Sequence, residues 1–255
     1  VSPTTSGSEL LLLTRAGGTR FVDPAEEPQI IAAIDEWITP GATLTITAGR
    51  QSYLVRRIER PAWAHEFGRD ACGLYADLRI PVEREKAAAG AQAITQRMRY
   101  IEAGHFRMGS PESEAERYSD EGPQHEVTLS EGFWLADTAC TQALWEALMG
   151  DNPSHFNAGN RGGPQHPVDS VSWDDVQLFL RRLEQRVPGC TASLPGEAEW
   201  EYACRAGSTT PFSFGENITP EQVNYRGDYS YRSVSKGLYR EVTVPVATLP
   251  ANSWG

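Results

Sequence analysis

The chain lacks the features that mark membrane-spanning, nucleotide-binding and serine-hydrolase proteins. No apolar run approaches the roughly 20 residues that a membrane-spanning helix needs. There is no G-x-x-x-x-G-K, no G-x-G-x-x-G after a predicted strand and no G-x-S-x-G. Basic residues are also in deficit, with 23 Lys and Arg against 34 Asp and Glu and a net charge of −11. Because nucleic acids and anionic membranes attract clustered Lys and Arg, we expect neither as a partner.

Cysteine is scarce, and its spacing favours no metal or redox site. The four cysteines are Cys72, Cys140, Cys190 and Cys204. No pair has the C-x-x-C spacing of a zinc or redox centre, although a disulfide between any two stays open. Nothing favours an oxidising compartment, so we expect a cytoplasmic protein. Cys204 follows Trp200 by four positions on a predicted helix and is expected to be buried.

Histidines and acidic residues likewise share no ligand pattern. Four of the histidines stand in predicted loops or strands, at His105, His125, His155 and His166. A metal site needs three or four ligands that converge on one point, and no H-x-H, H-x-x-x-H or H-x-x-E spacing brings these together. The acidic run at 112–121 lacks the spacing of a calcium-binding loop and predicts a solvated loop. We therefore predict no catalytic, cofactor or metal residue in this chain.

Residues 1–90 are predicted to form a small α+β domain followed by a linker. The expected order is β-α-β-β-β, with strands at 10–13, 43–47, 53–58 and 74–80 and a helix at 26–37. Residues 81–93 are charged and alanine-rich, which places the domain boundary near residue 90. The chain begins at Val1 with a linker-like segment, residues 1–8. We interpret it as a piece of a longer protein.

Residues 91–255 are richer in Trp, Gly, Pro and His and predict a second domain. Strands are expected at 94–101, 105–108 and 127–135, the last broken at Gly132. Helices are expected at 142–149, from 173 onward and at 197–205, because Thr141 and Ser172 are good N-caps and Gly150 and Gly207 are good stops. The helical tryptophans have apolar neighbours and are predicted core residues; they are Trp145, Trp173 and Trp200.

Five stretches of this second part resemble motifs of the sulfatase-modifying-factor family, also called the formylglycine-generating-enzyme-like domain. In order, they are 104–110 (GHFRMGS), 120–127 (DEGPQHEV), 141–145 (TQALW), 166–176 (HPVDSVSWDDV) and 194–203 (LPGEAEWEYA). Any one stretch is suggestive, and five in family order extend the resemblance to about residues 94–255. Gly196 departs from the Thr or Ser usual in the family, and Ser193 from the common Arg.

The resemblance implies an α+β fold of the C-type-lectin-like kind, here without its C-terminal part. The family includes oxidases that convert a sulfatase cysteine to formylglycine with copper held by two cysteines. It also includes iron-dependent sulfoxide synthases and lectin-like binding proteins. In the oxidases the cysteine pair and most calcium ligands lie in the later half of the domain. Residues 252–255 resemble the start of the first segment of that half. Calcium or copper is therefore implied only for an intact domain.

One loop segment is the candidate recognition surface. Its residues are Tyr225, Arg226, Tyr229, Tyr231 and Arg232, in a region rich in Gly, Ser and Arg. Tyr and Arg on loops are typical of binding surfaces, and they are equally typical of long packed loops. The sequence alone leaves both interpretations open.

Two functional hypotheses follow. The first is a fragment of a bacterial-type multidomain protein that serves as a protein- or ligand-binding module, with another chain or its own C-terminal remainder as partner. The second is part of a metal-dependent oxidase for cysteine or another sulfur substrate, completed by the missing C-terminal segment. Both leave uncovered a surface formed by Trp145, Val176 and Phe179, which we expect to be bare and prone to association.

Overall fold

The computed structural model describes residues 9–15, 18–21, 43–48, 51–82, 93–229, 231–233 and 236–255. The chain divides into two compact units, Val1–Ala62 and Trp63–Gly255.

The first unit contains a four-stranded antiparallel sheet in the order β2-β1-β4-β3. The strands are β1 (Glu9–Arg15), β2 (Gly18–Phe21), β3 (Thr43–Ala48) and β4 (Gln51–Glu59). Their aliphatic and β-branched residues favour extended backbone, and the strands predicted at 10–13, 43–47 and 53–58 are confirmed. Strand β2 was not predicted. The helix predicted at 26–37 lies outside the described residues.

The second unit is built on another four-stranded antiparallel sheet, in the order β10-β7-β6-β5. Its strands are β5 (Ala64–Asp70), β6 (Gly73–Pro81), β7 (Ala93–Ile101) and β10 (Phe133–Ala136). A separate hairpin pairs β8 (Gly104–Met108) with β9 (His125–Leu129). Alternate residues of β6, from Leu74 to Ile80, are buried, as expected for a strand with one face on the core.

The division of the chain differs from the boundary predicted near residue 90. Strand β6 pairs with β7 from Tyr75 opposite Arg99 to Pro81 opposite Ala93. Residues 63–81 therefore share a sheet with the residues that follow the predicted linker. Strand pairing depends on contacts that are distant in sequence, whereas the prediction used local composition alone.

Three helices lie in the described part of the second unit: α1 (Gln142–Met149), α2 (Trp173–Arg186) and α3 (Glu197–Arg205). The Thr141 hydroxyl accepts the Leu144 N–H at 3.2 Å, which caps the start of α1. Gly150 ends that helix with φ 87°, a left-handed conformation that glycine adopts without strain. The predicted bounds of α1 and α3 are confirmed.

The main core lies between the large sheet and helices α1 and α2. Trp145 and Phe179 stack with ring centroids 5.1 Å apart, and both are buried. Leu78 and Ile80 of β6 belong to the same cluster. The expected bare surface at Trp145 and Phe179 was therefore wrong, because a strand from the N-terminal side of the predicted boundary helps to form this core.

Helix α3 packs through a different face from the one predicted. Tyr202 and Ala203 are buried, whereas Trp200 is 59% exposed and Cys204 is exposed. Two residues advance a helix by about 200°, so Trp200 and Cys204 both point away from Tyr202. Their predicted burial was wrong for this reason. Trp173 is also exposed, at 66%, because it opens α2 one turn before the helix meets the core.

A polar cluster, the Gly109 hub, joins the β8 end to α3 through Gly109, Glu201 and Arg205. The Gly109 N–H donates to Glu201 Oε1 at 2.9 Å, and Arg205 Nη2 donates to the Gly109 carbonyl at 3.0 Å. Arg205 Nε donates to the same Glu201 oxygen at 2.7 Å. Gly109 has φ +85°, and a Cβ there would collide with the Glu121 carbonyl. Glycine is required at this position.

The architecture is therefore mixed α+β, as the sequence predicted. Among the described residues, no helix has the length and apolar character needed to cross a bilayer.

Candidate functional site

The predicted recognition residues lie on a loop that the Gly109 hub anchors at its start. Arg205 Nη1 donates to the Thr210 carbonyl at 3.3 Å. Asn224 Nδ2 donates to the Val242 carbonyl at 2.9 Å, which ties the middle of the loop to its return segment. The two arms of the loop thus lie next to each other, and its described residues form no regular sheet.

Two glycines bring these segments into close contact. The Gly237 N–H donates to the Gly227 carbonyl at 2.6 Å, and Arg226 forms an antiparallel bridge with Tyr239. A Cβ on Gly227 would collide with the Leu238 carbonyl. Because only glycine fits here, the pair fixes the relative position of residues 226–229 and 237–239.

Large side chains on these paired segments are exposed. Tyr229 is 77% exposed, Leu238 57% and Tyr239 42%. The Arg226 guanidinium lies 5.5 Å from the centre of the Tyr239 ring, within cation–π range. We call Arg226, Tyr229, Leu238 and Tyr239 the tyrosine face.

Arg226 is held in place without being buried. Its Nε donates to Asp228 Oδ1 at 3.1 Å, and this bond raises the pKa of the guanidinium. The Arg226 side chain is 68% exposed. An exposed pair of this kind contributes little stability, so its charge is available to a partner at small cost.

Of the other predicted recognition residues, Tyr225 and Tyr231 pack inward, whereas Arg232 is exposed and bonds to neighbouring carboxylates. The Tyr231 ring meets Phe212 edge-on at 5.1 Å, and the Tyr225 hydroxyl donates to the Ile218 carbonyl at 3.2 Å. The Arg232 N–H donates to Glu116 at 3.0 Å, and its Nη1 donates to Glu216 at 3.2 Å. The structure thus brings Arg226 and Tyr229 onto one surface and uses Tyr225, Tyr231 and Arg232 to support the loop.

Sequence reasoning missed Leu238, and Tyr239 was not among the five candidate recognition residues. The available signal was the pair Gly227 and Gly237, ten positions apart on either side of the tyrosine-rich stretch. Such a pair is compatible with close approach of two backbones, but pairing across a loop needs the folded chain to reveal it.

The histidines are spread over separate elements and bond to their own surroundings. His166 Nδ1 lies 2.8 Å from Thr243 Oγ1, and His125 Nδ1 lies 2.9 Å from the Pro123 carbonyl oxygen. His155 Nε2 lies 3.2 Å from Asn160 Nδ2. Across the described ranges, no three His, Cys, Asp or Glu side chains gather as a metal site would require.

The cysteines do not fit the copper pair that the resemblance implies for the oxidases. They are free thiols, with Cys72, Cys140 and Cys190 in turns or loops and Cys204 in α3. Burial raises the pKa of Cys140 to about 12, and burial also raises the pKa of Cys190. A metal ligand must be a thiolate, which these surroundings disfavour.

Comparison with known proteins gives one family and several relatives. Residues 78–255 match the family model described as the sulfatase-modifying factor enzyme 1-like domain. The formylglycine-generating enzyme of Bos taurus is 28% identical over 155 residues, which are 56% of this chain and 38% of that protein. Chaperone protein LppX of Paenibacillus barcinonensis is 24% identical over 212 residues, 66% of this chain and 70% of that protein.

A solved structure shares part of the fold. PvdO from Pseudomonas aeruginosa superposes with a TM-score of 0.51 at 28% identity, covering 62% of this chain and 64% of PvdO. The chain thus spans 38% of the bovine enzyme and 64% of the PvdO chain.

Proposed function

Because the chain belongs to the sulfatase-modifying factor enzyme 1-like domain family, we propose that it is a protein-binding module of that family and that the tyrosine face contacts the partner. The observation that carries this proposal is the exposure of Tyr229, Leu238 and Tyr239 on two segments that glycines hold together. Tyrosine and arginine side chains are enriched in interface hot spots.

The rigidity of the platform supports the proposal. Binding costs conformational entropy when loops must become ordered. The Gly227–Gly237 bond and the Arg226–Tyr239 bridge order the face before any partner arrives. A preformed face of two tyrosines and a leucine therefore loses less of its binding free energy to conformational entropy than a loop that must become ordered.

Charge indicates what kind of partner fits. The chain carries a net charge of −11, yet Arg226 and Lys236 are exposed at or beside the tyrosine face. A segment with apolar side chains and one or two carboxylates is complementary to this local composition. We propose such a segment of another protein as the partner.

Selection from a displayed random peptide library tests the proposal. We expect the selected peptides to combine acidic and apolar residues and to lose about tenfold in affinity when Tyr229 is changed to Ala. Trp173→Ala, which removes another largely exposed aromatic ring, on α2, is the matched control and should leave affinity unchanged. Peptides that bind the Tyr229→Ala variant as well as the parent chain would count against the tyrosine face.

The oxidase hypothesis has its own test. The purified chain is incubated with a C-x-P-x-R peptide, copper and oxygen, and the peptide mass is followed. We expect an unchanged peptide, because the four cysteines do not form the pair that copper ligation requires. Conversion of the peptide cysteine to an aldehyde would overturn the binding-module proposal.

A further inference from the structure

A cleft of about 880 Å³ lies between the large sheet of the second unit and helix α1. Its lining includes the apolar residues Ile94, Ala143, Ala147, Met149 and Val246. It also includes the polar residues Asp77, Gln96, Arg97 and Asp137. Its volume and its mixture of apolar and polar side chains are typical of sites for small molecules. The tyrosine face contributes no residue to it.

The arginine among these polar residues is already neutralised. Arg97 Nε and Nη2 donate to the two oxygens of Asp77 at 2.8 and 3.0 Å, and Asp77 is buried. Arg97 Nη1 also lies 3.5 Å from Asp70, and its guanidinium lies 3.8 Å from the centre of the Tyr75 ring. This bidentate ion pair with Asp77 occupies the Nε and Nη2 donors of Arg97. An incoming anion would therefore find no free cation at Arg97.

The Asp137 carboxylate, unlike the Arg97 guanidinium, has no ion-pair partner among the described residues. Gln96 Nε2 donates to its Oδ1 at 3.0 Å, which orients the carboxyl group. Nearby Arg97 and Arg99 pair with Asp77 and Asp70, and no ion pair to Asp137 is formed by the residues that the structure describes. Burial raises the pKa of the Asp137 carboxyl by more than the nearby charges of Arg99 and Arg97 and the hydrogen bond from Thr138 lower it.

The other charged residues that line the cleft also favour a cationic ligand. Glu146 of α1 adds a third carboxylate to the lining, after Asp77 and Asp137, against the two guanidinium groups of Arg97 and Arg186. Arg186 donates Nη2 to the Pro81 carbonyl at 3.2 Å. The lining residues therefore carry a net negative charge. A carboxylate that forms no ion pair, next to apolar side chains, favours a ligand with a cationic head and a hydrocarbon stem.

We propose that this cleft binds a small organic cation, an ammonium or guanidinium group on a short aliphatic chain. The charged head pairs with Asp137, whose position Gln96 fixes. The aliphatic chain lies against Ala143, Ala147 and Met149 of helix α1. No bond forms or breaks, so the site is one of recognition and not of catalysis.

Two isosteric probes test the proposal directly. Titration of the full chain with 1-butylguanidinium, followed by amide chemical shifts, should show saturable binding with shifts at β7 and α1. The neutral isostere 1-butylurea has the same shape without the charge and should bind at least about tenfold more weakly.

Two variants locate the binding site. Asp137→Asn keeps the acceptor for Gln96 and removes the charge, so butylguanidinium affinity should fall at least about tenfold. Asp120→Asn makes the same charge change on the exposed acidic loop and should bind like the parent chain. Ala147→Phe fills part of the cleft and should abolish binding, which keeps the test valid if Asp137→Asn does not fold.

The possible outcomes distinguish charge-dependent binding in the cleft from binding elsewhere or no binding. Charge-dependent binding that both cleft variants weaken supports the proposal. Equal binding of the urea and the guanidinium, undiminished binding by both cleft variants, or the absence of saturation would overturn it.

Discussion

The Gly109 hub and the tyrosine face show two opposite uses of polar and aromatic residues. In the hub, the Gly109 N–H and carbonyl and the Glu201 carboxylate are all engaged within the fold. On the face, Tyr229 and Leu238 leave most of their surface in solvent. The stretches that resemble the family include Gly109 and Glu201, whereas none includes residue 229 or 238. The family resemblance thus describes the scaffold, and the specific partner must be read from the surface that the scaffold carries.

The largest difference in stability between a scaffold variant and a tyrosine-face variant is expected for the truncation of a buried aromatic side chain. Phe179→Ala removes a buried ring that stacks on Trp145. We expect it to lower the free energy of unfolding by about 3–5 kcal/mol, measured by urea denaturation. Tyr229→Ala is the matched aromatic truncation on the face. A loss below about 1 kcal/mol for Phe179→Ala would show that the described core does not stabilise the fold.

The hub should produce the next largest effect. Glu201→Ala removes the acceptor of both the Gly109 N–H and Arg205 Nε, so we expect a loss of about 2–3 kcal/mol. Glu197→Ala, in the exposed first turn of the same helix, should cost well under about 1 kcal/mol. Equal losses for the two variants would mean that the hub is no more important than ordinary surface charge.

The start of α2 gives a smaller effect with a pH signature. Ser172 and Asp175 form a reciprocal cap in which Asp175 accepts from both the Ser172 hydroxyl and its N–H. Ser172→Ala should cost about 1 kcal/mol at pH 7. The Ser172 hydroxyl hydrogen bond lowers the pKa of Asp175, so the stabilisation exists above the unfolded pKa and is lost as pH falls through the folded one.

Urea denaturation of the parent chain and Ser172→Ala, from neutral pH down to values below the ordinary Asp pKa of about 4, checks this sign. The difference in stability between the two chains should narrow as Asp175 is protonated. A difference that stays constant or widens in acid would contradict the assigned cap.

The smallest effect on stability is expected on the face itself. Tyr229→Ala and Leu238→Ala should each change the free energy of unfolding by less than about 0.5 kcal/mol, because little of either side chain is buried. Thermal melts of both variants check this expectation. A large loss of stability in either variant would mean that these side chains help to stabilise the fold. That result would contradict the proposed difference between the Gly109 hub and the tyrosine face.

Local signals predicted the helices well and their packing poorly. Thr141 and Gly150 mark the two ends of α1 because capping depends on neighbours within a few residues. Which face of α3 is buried depends on distant partners: Tyr202 meets Phe106 at 5.2 Å and Trp254 at 4.9 Å. Those contacts, and not the apolar character of Trp200, decide the orientation.

The candidate site shows the same limit more strongly. Composition singled out the loop that carries Arg226 and Tyr229, which are exposed in the structure. It could not separate these exposed side chains from Tyr231, which packs against Phe212. Asp137 carried no sequence signal, because its significance comes from Gln96 and from arginines that pair elsewhere.

The most direct test of the binding-module account is the affinity of one selected peptide for the double variant Tyr229→Ala/Leu238→Ala, measured together with the melting temperature. The account predicts that affinity falls by about thirtyfold or more while the melting temperature stays within a few degrees of the parent chain. Affinity within about twofold of the parent chain, with the variant fully folded, would contradict it.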